Sequence, residues 1–215
     1  MFSHIFFDLD GTLTDPALGI TNSFSHALKE MGREIPSYAT FCSFIGPPIK
    51  ESFASLGFSK KETEEGIKKY REYFSTKGLF ENKVYEGIPK LLAELKAAGK
   101  KLVVATSKPE VFSIQIADHF GFAQYFDAIC GSTMDQTRAT KASVIEYALG
   151  KTDIQEKNMV LMVGDREHDI FGAKQNGLKS CGVLFGYGTR QELEKAGADF
   201  IAKDISALKA ICMEN

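Results

Sequence analysis

The chain has 215 residues, enough for one full hydrophobic core with a smaller inserted subdomain but short for two large domains. Its formal net charge of −2 gives no excess of basic residues, so the composition argues against a nucleic-acid partner. No apolar run approaches the roughly 20 residues of a membrane-spanning helix, and Asp8 interrupts any signal-peptide pattern, so we expect a cytoplasmic protein that does not interact with a membrane.

The first element is an apolar run, Ile5-Phe6-Phe7, that ends in two carboxylates one residue apart, Asp8 and Asp10. Such a run is typical of a strand buried on both faces, after which Gly11 turns the chain away. In open α/β sheets, ligands bind outside the carboxyl ends of the strands. Two acids held this close repel each other unless a cation or a shared proton offsets the repulsion. The opening of the chain therefore predicts a chemically active site.

The pattern then becomes helical over residues 15–82, where no convincing strand signal occurs. Asp15 is predicted to cap the first of these helices, with Pro16 at its first position. A later helix is expected to begin at the capping box Ser59-Lys60-Lys61-Glu62. Between them, Gly46-Pro47-Pro48 interrupts an apolar stretch. This segment is therefore predicted to be a helical insertion.

After residue 84 helical and strand patterns alternate regularly, and a capping box at Thr189-Arg190-Gln191-Glu192 marks one of the later helices. This alternation predicts right-handed βαβ crossovers and a parallel sheet covered on both faces. Thr106 follows one apolar run and Asp165 follows another, so both are expected at the edge that carries Asp8. The predicted strands are 102–105, a segment near 128–130, 159–163, 181–184 and 199–201.

Four segments in this order resemble the motifs of the haloacid dehalogenase superfamily, specifically its aspartate-nucleophile phosphatases. They are Asp8-Leu9-Asp10-Gly11-Thr12-Leu13, Thr106 after a strand, Lys141 before a helix, and Gly164-Asp165-Arg166-Glu167-His168-Asp169. Within the superfamily the chain is similar to the phosphoglycolate phosphatase-like and 5'-nucleotidase-like branch. One departure is Arg166, where that branch often has Ser or Thr.

This resemblance implies an α/β fold in which a Rossmann-like parallel sheet core is interrupted by an α-helical cap domain. The core is expected to comprise residues 1–14 and 83–215, with the first strand near its centre. The cap domain is expected to comprise residues 15–82. The implied activity is hydrolysis of a small phosphorylated metabolite, and the expected assembly is a monomer or a homodimer.

Hydrolysis of a phosphate monoester needs a nucleophile, a proton for the leaving alcohol and cations that offset charge on the phosphoryl oxygens. Asp8 is the expected nucleophile, because a carboxylate can attack phosphorus and form an aspartyl-phosphate. Asp10 is the expected general acid and then the base for the attacking water. Oxygen ligands in this number suit Mg²⁺. The resemblance implies that Asp8 and Asp165 bind it through side chains, Asp10 through its carbonyl, and that Asp169 orients a ligand or water.

Thr106 and the backbone amides that follow it, beginning with Ser107, are expected to bind phosphoryl oxygens, and Gly11 is assigned to the same site. Lys141 would hold the phosphate and the nucleophile, although a lysine at the start of a helix is more commonly a solvated surface residue. Lys108 is a rival for the same role, with an exposed position as its alternative. Asp169 also fits a simple helix N-terminal acid.

Substrate selection is assigned to the cap loop Phe44-Ile45-Gly46-Pro47-Pro48-Ile49, with Arg166 and His168 as the other candidates. The loop fits a plain connection between helices equally well. Arg166 and His168 also fit surface positions on the helix after Asp165. Phosphoglycolate, a nucleoside 5'-monophosphate, a sugar phosphate and pyrophosphate all remain open as substrates.

Two other classes of function share these motifs. A sugar phosphomutase would form the same aspartyl-phosphate, and turnover of a simple phosphate ester would distinguish it. A non-catalytic protein that binds phosphorylated metabolites would be expected to lack one of the core residues, and all are present. A dehalogenase needs no acid at position 10, so Asp10 argues against it. The four cysteines form no Cys-x-x-Cys pair and are predicted to be buried reduced thiols.

Overall fold

The computed structural model describes residues 2–214, and the chain divides into two compact units. The core unit comprises the described residues up to Asp15 together with those from Val84 onward, and the helical unit comprises Pro16–Lys83. Two-residue strands, β2 (Thr14–Asp15) and β3 (Lys83–Val84), mark the two points where the chain passes between the units. None of the helices within residues 2–214 is long and apolar enough to cross a membrane.

A six-stranded sheet forms the centre of the core unit, and every neighbouring pair in it is parallel. Its strands are β1 (His4–Phe7), β4 (Lys101–Pro109), β5 (Ala128–Ser132), β6 (Val160–Gly164), β7 (Lys179–Val183) and β8 (Phe200–Ala202). Their order is β5-β4-β1-β6-β7-β8, so the first strand lies near the middle, between β4 and β6. Ile5, Phe6 and Phe7 of β1 are each fully buried, as expected for a strand covered on both faces. The predicted α/β fold is thus confirmed.

Helices follow the strands of the core unit and cover the sheet. Phe6, Val103 and Met162, from three adjacent strands, pack with Val144 and Ile145 in one buried apolar cluster. The core helices are α5 (Ile88–Ala97), α6 (Glu110–His119), α7 (Lys141–Lys151), α8 (Glu167–Gln175), α9 (Arg190–Ala196) and α10 (Ile205–Glu214), with 3₁₀ turns at Ala123–Tyr125 and Lys157–Met159.

The helical unit is built around the ring of Phe24. Ring centroids of Phe44, Phe53 and Tyr70 lie 4.9, 5.1 and 4.9 Å from it, and Phe41 stacks at 6.2 Å. The predicted capping box is present, with Glu62 N donating to Ser59 Oγ at 3.4 Å and Ser59 N donating to the Glu62 carboxylate at 2.8 Å. The helices are α1 (Ala17–Glu30), α2 (Tyr38–Cys42), α3 (Ile49–Ser55) and α4 (Lys60–Tyr73), followed by a π-helical turn at Phe74–Gly78.

The predicted helix cap at Asp15 is wrong. The first helix begins at Ala17 with Pro16 in the N-cap position and has no side-chain cap hydrogen bond. The carboxylate of Asp15 instead accepts a hydrogen bond from the hydroxyl of Tyr187, a residue of the core unit. A tertiary partner distant in sequence has replaced the local partner that the capping pattern predicts.

The strand predicted over residues 102–105 is longer in the structure, because β4 continues with a register shift to Pro109, which pairs with Ser132. A Cβ atom at Gly131 would lie only 2.6 Å from the Lys108 carbonyl, so the glycine permits this close approach of the backbones. Pro109 directly precedes α6, and in the sequence it indicates the start of a helix. The continuation of β4 to this residue was therefore not predicted.

All four cysteines are free thiols. Cys130, Cys181 and Cys212 are buried in the core unit, whereas Cys42 of α2 is half-buried. Burial raises the pKa of Cys130 to about 11 and that of Cys181 to about 12. The prediction of buried reduced thiols therefore holds for three cysteines.

Candidate active site

The register of the sheet brings the predicted site residues to one edge. Phe7 lies opposite Val104 of β4 on one side and Val163 of β6 on the other. The carboxyl ends of these three strands therefore release Asp8, Thr106 and Asp165 at nearly the same level. Asp8, Asp165 and Asp169 are all buried, and each offers a carboxylate oxygen within 4.8 Å of the other two. The convergence expected from the sequence is present.

Lys141 lies inside this cluster rather than on the surface. Its Nζ is 2.7 Å from Asp8 Oδ1 and 2.8 Å from Asp169 Oδ1, and it donates to the Ala105 carbonyl at 3.1 Å. Burial alone would lower the pKa of Lys141, but the carboxylates of Asp169 and Asp8 outweigh it and raise that pKa above its ordinary value. The alternative of a solvated lysine at a helix start is wrong, because two buried carboxylates compensate the charge.

Lys108 is also buried, but its contact differs from the one predicted. Its Nζ lies 2.8 Å from Asp10 Oδ2, so it pairs with the expected general acid. Burial raises the pKa of Asp10, against the opposing effect of the Lys108 ammonium. The other oxygen, Asp10 Oδ1, is buried without a hydrogen-bond partner in the described chain. The exposed alternative for Lys108 is wrong, and its direct role in phosphate binding stays a prediction.

Neighbouring segments of the chain enclose Asp165 closely. Tyr187 N donates to its Oδ2 at 2.8 Å, and Thr12 Oγ1 donates to its Oδ1 at 3.4 Å. Gly11 has a φ of 83°, and a Cβ atom there would lie 2.2 Å from Asp165 Oδ2, so only glycine fits this turn. Burial raises the pKa of Asp165 well above its usual range, and the charges of Asp169 and Asp8 raise it further.

Asp169 satisfies both readings of its position. It lies in the first turn of α8, where its Oδ2 accepts a hydrogen bond from Arg166 N at 3.0 Å, as a helix N-terminal acid would. The same carboxylate contacts Lys141 and belongs to the buried acidic cluster. Burial raises the pKa of Asp169, although Lys141 opposes the change.

Thr106 and Ser107 lie in the extended end of β4. Thr106 is buried, and its Oγ1 accepts a hydrogen bond from Lys108 N at 3.2 Å, while Ser107 is half-buried. This local bond fixes the Thr106 side chain beside the chain segment that carries Lys108. Binding of phosphoryl oxygens by these two residues stays a prediction.

Arg166 pairs with another core residue. Its Nε lies 2.8 Å from Glu192 Oε1, the same oxygen that accepts from Glu167 N at 3.0 Å. Glu192 thus connects α9 to the start of α8, and Thr189 of its predicted capping box accepts the expected bond from Glu192 N at 3.1 Å. This ion pair favours a structural role for Arg166, and substrate binding by it stays a prediction.

Gly46, also assigned to substrate binding, belongs to the helical unit. It has a φ of 103° and lies between α2 and α3, followed by Pro47 and Pro48. The neighbouring Phe44 ring packs 4.9 Å from Phe24 within the same unit, so it contributes to the aromatic core of that unit. The substrate-binding role of Gly46 stays a prediction.

Two features of the site were not predicted from the sequence. One is the pairing of Lys108 with Asp10, which becomes visible only when β4 is seen to continue past residue 105. The other is the segment Gly186-Tyr187-Gly188 after β7, whose backbone contacts Asp165. Two glycines flanking one aromatic residue just beyond a strand were a signal for close backbone approach.

The family model described as haloacid dehalogenase-like hydrolase matches residues 5–183, and the chain belongs to this family. A 5'-nucleotidase from Pseudomonas aeruginosa is 43% identical over 98% of this chain and 95% of that protein. The crystal structure of a predicted phosphatase from Clostridium acetobutylicum has a TM-score of 0.96 at 45% identity and covers all of both chains. The tyrosine-protein kinase PtkA of Mycobacterium tuberculosis is 39% identical over 92% of this chain and 67% of that protein.

The predicted resemblance is confirmed by these matches. The protein is a phosphatase of the haloacid dehalogenase-like family, and its substrates are small phosphorylated compounds. Phosphatases of this family generally use a divalent metal, and the buried cluster of Asp8, Asp165 and Asp169 has the oxygen donors that such an ion requires.

Proposed function

We propose that the protein is a Mg²⁺-dependent phosphatase that hydrolyses a small phosphate monoester through an aspartyl-phosphate on Asp8. The observation that carries the proposal is the environment of Asp8. Its Oδ1 accepts a hydrogen bond from Leu9 N at 2.7 Å and lies 2.7 Å from Lys141 Nζ. In the described residues both contacts fall on Oδ1, which orients the carboxylate and leaves Oδ2 for attack on phosphorus.

Asp10 is suited to move the proton. A carboxyl whose pKa is raised by burial retains its proton closer to neutral pH, which a general acid for the leaving alcohol requires. Once the alcohol has left, the resulting carboxylate can accept a proton from the water that attacks the aspartyl-phosphate. Lys108, 2.8 Å from Asp10 Oδ2, would fix the direction of the carboxyl during both transfers.

The charge balance of the site supports a bound cation. Among residues 2–214, four buried carboxylates, those of Asp8, Asp10, Asp165 and Asp169, are accompanied by two buried lysines, Lys108 and Lys141. Burial and two neighbouring acids raise the pKa of Asp165, which is what an excess of buried negative charge predicts. Hard oxygen donors at a strand edge suit Mg²⁺, which would offset charge on the phosphoryl oxygens.

Asp8 and Asp165 are the proposed side-chain ligands, with the carbonyl of Asp10, while Asp169 would orient a ligand or a water. Lys141 would hold the nucleophile through Asp8 Oδ1 and attract the phosphate. Thr106 would donate its hydroxyl to a phosphoryl oxygen, as would the amides after it.

The proposed substrate class is a nucleoside 5'-monophosphate, and phosphoglycolate is the alternative. The 43% identity to a 5'-nucleotidase over nearly the whole of both chains supports the first choice. The helical unit would act as the cap, and the loop around Gly46 would contribute to the choice of leaving group. The proposal thus assigns catalysis to the core unit and selection of the leaving group to the helical unit.

The test is a phosphate-release screen over nucleoside monophosphates, phosphoglycolate, sugar phosphates and pyrophosphate. It is run with Mg²⁺, with a chelator, and with Ca²⁺ added to Mg²⁺. We expect activity with Mg²⁺ alone and antagonism by Ca²⁺, which takes more oxygen ligands at longer distances. Full activity in excess chelator would contradict the metal requirement.

The matched control variant is Asp8→Asn, which we expect to reduce phosphate release by about 10³-fold or more with little change in thermal stability. Retention of a large fraction of activity would refute Asp8 as the nucleophile. Phosphate returned to a second hydroxyl of a sugar substrate, rather than released, would identify a phosphomutase. Because one relative is named a tyrosine-protein kinase, a further control supplies ATP and a tyrosine peptide. We expect no transfer of phosphate to the peptide.

A further inference from the structure

The segment Gly186-Tyr187-Gly188, which we call the tyrosine loop, passes directly over Asp165. A Cβ atom at Gly186 would lie 2.4 Å from Asp165 Cβ, and one at Gly188 would lie 1.9 Å from the Asp165 carbonyl oxygen. The two glycines are therefore required because the backbones touch. This contact lets Tyr187 N donate to Asp165 Oδ2 at 2.8 Å.

The side chain of Tyr187 anchors the loop elsewhere in the core unit. Its hydroxyl donates a hydrogen bond to Asp15 Oδ1 and also interacts with the hydroxyl of Tyr85. The ring of Tyr85 packs edge-on against Phe185, the residue before the loop, with centroids 5.5 Å apart. The loop is thus anchored by the Tyr187 side chain and by the packing of Phe185.

We propose that Tyr187 is a positioning residue for the divalent cation of this phosphatase, and this inference rests on the function proposed above. Its amide engages Asp165 Oδ2, so Oδ1 is the oxygen left for a cation. Within residues 2–214, Oδ1 accepts a long hydrogen bond of 3.4 Å from Thr12 Oγ1. The bond from the Tyr187 hydroxyl to Asp15 keeps the amide in place, and so sets the direction of the ligand carboxylate.

The experiment measures Mn²⁺ binding to the chelator-stripped full chain, without substrate, from the spectroscopic signal of free Mn²⁺. Wild type is compared with Tyr187→Phe, which removes only the anchoring hydroxyl. The control is Tyr147→Phe, a residue of α7 whose ring packs 3.6 Å from the Arg138 guanidinium and takes no part in the site. Loss of a group that orients a ligand typically weakens metal binding about 10-fold or more.

We expect about 10-fold weaker Mn²⁺ binding for Tyr187→Phe and wild-type binding for Tyr147→Phe. The Mg²⁺ concentration for half-maximal phosphate release should rise by about the same factor, while kcat at saturating Mg²⁺ changes by less than about twofold. Asp15→Ala should also weaken binding, and the double variant should bind no more weakly than Tyr187→Phe alone, because Tyr187→Phe already removes the hydrogen bond to Asp15.

A merely structural role for Tyr187 would lower the melting temperature in chelator but leave the Mn²⁺ affinity within about twofold of wild type. That result overturns the inference while the proposed function stands. If wild type itself binds no Mn²⁺ yet releases phosphate in chelator, the metal requirement fails and the inference fails with it. Additive losses in the double variant would overturn the link through Asp15.

Discussion

The helical unit buries aromatic rings at its centre, whereas the core unit also buries a cluster of charged side chains at the carboxyl ends of its strands. In the helical unit, Phe24 is enclosed by other aromatic rings and is 2% exposed. At the strand ends of the core unit, by contrast, four carboxylates and two ammonium groups are nearly as inaccessible. Burial of rings stabilises a fold. Burial of like charges opposes folding unless something outside the chain compensates them.

Burial alone therefore does not identify which side chains stabilise the fold. The ring cluster is explained by packing, so its loss should act on stability. The acidic cluster costs stability, so its presence is explained by chemistry, and its loss should act on turnover. Substitutions in the two places therefore test the comparison from opposite sides.

The largest effect is expected for Lys141→Met, which removes the cation shared by Asp8 and Asp169. Two buried carboxylates then lose their partner, so the unfolding free energy in chelator should fall by about 3–5 kcal/mol. Phosphate release should fall by about 10²- to 10³-fold. Urea unfolding and initial rates provide the two measurements.

Lys151→Met is the matched control on the same helix, because Lys151 is 40% exposed and lies 3.6 Å from Glu110. It should change the unfolding free energy by less than about 1 kcal/mol. Equal losses for the two lysines would show that Lys141 does not compensate buried charge.

Phe24→Ala should destabilise the helical unit by about 3–5 kcal/mol, because it opens a cavity among several rings. Leu18→Ala is the control on the same helix, since Leu18 is 60% exposed, and should be nearly neutral. Hydrogen exchange in the two units is the measurement. We expect faster exchange in α1 and α4 and unchanged exchange in β1 and β6. Uniform acceleration in both units would contradict the view that the ring cluster serves its own unit.

The stability of the metal-free protein should fall as the pH rises above about 4. Burial raises the pKa of Asp165 from its ordinary 3.8, so the folded state binds more protons than the unfolded state between that pH and the raised value. Each pKa unit by which the folded and unfolded states differ changes the free energy of unfolding by about 1.4 kcal/mol. Asp165→Asn should flatten this decline, which thermal melts at several pH values in chelator will measure.

Asp199 should affect the pH dependence of stability in the opposite direction to Asp165. Despite its partial burial, hydrogen bonds from Lys179 and Ser180 lower the pKa of Asp199, so its contribution is present above about pH 4 and lost on acidification. Asp199→Asn should therefore leave the decline above pH 4 intact. If Asp165→Asn also leaves it intact, the buried Asp165 carboxylate is not its cause.

The smallest effect is expected for Arg166→Met, which removes the ion pair with Glu192. Glu192 retains its bond from Glu167 N, so the loss should be about 1 kcal/mol of unfolding free energy. Phosphate release should change by less than about threefold for every substrate in the panel. A strong change for some substrates and not others would instead place Arg166 in the specificity site.

The sequence was sufficient where the pattern is local. Apolar runs ending in acids predicted the order of the strands in the chain and the edge where Asp8 and Asp165 meet, because the ends of parallel strands share an edge. It failed where a partner lies far along the chain. The Asp15 carboxylate, the Glu192 carboxylate and the Lys108 ammonium each take a tertiary partner that no local spacing encodes.

The burial of three of the four thiols should make chemical labelling of this protein selective for one cysteine. Thiolate is the reactive form, and burial with a raised pKa suppresses it at Cys130 and Cys181, while Cys212 is equally enclosed. Alkylating reagents should therefore modify the native protein at Cys42 first. Since Cys42 belongs to α2, a fluorophore attached there would report from the helical unit alone, without any engineered residue.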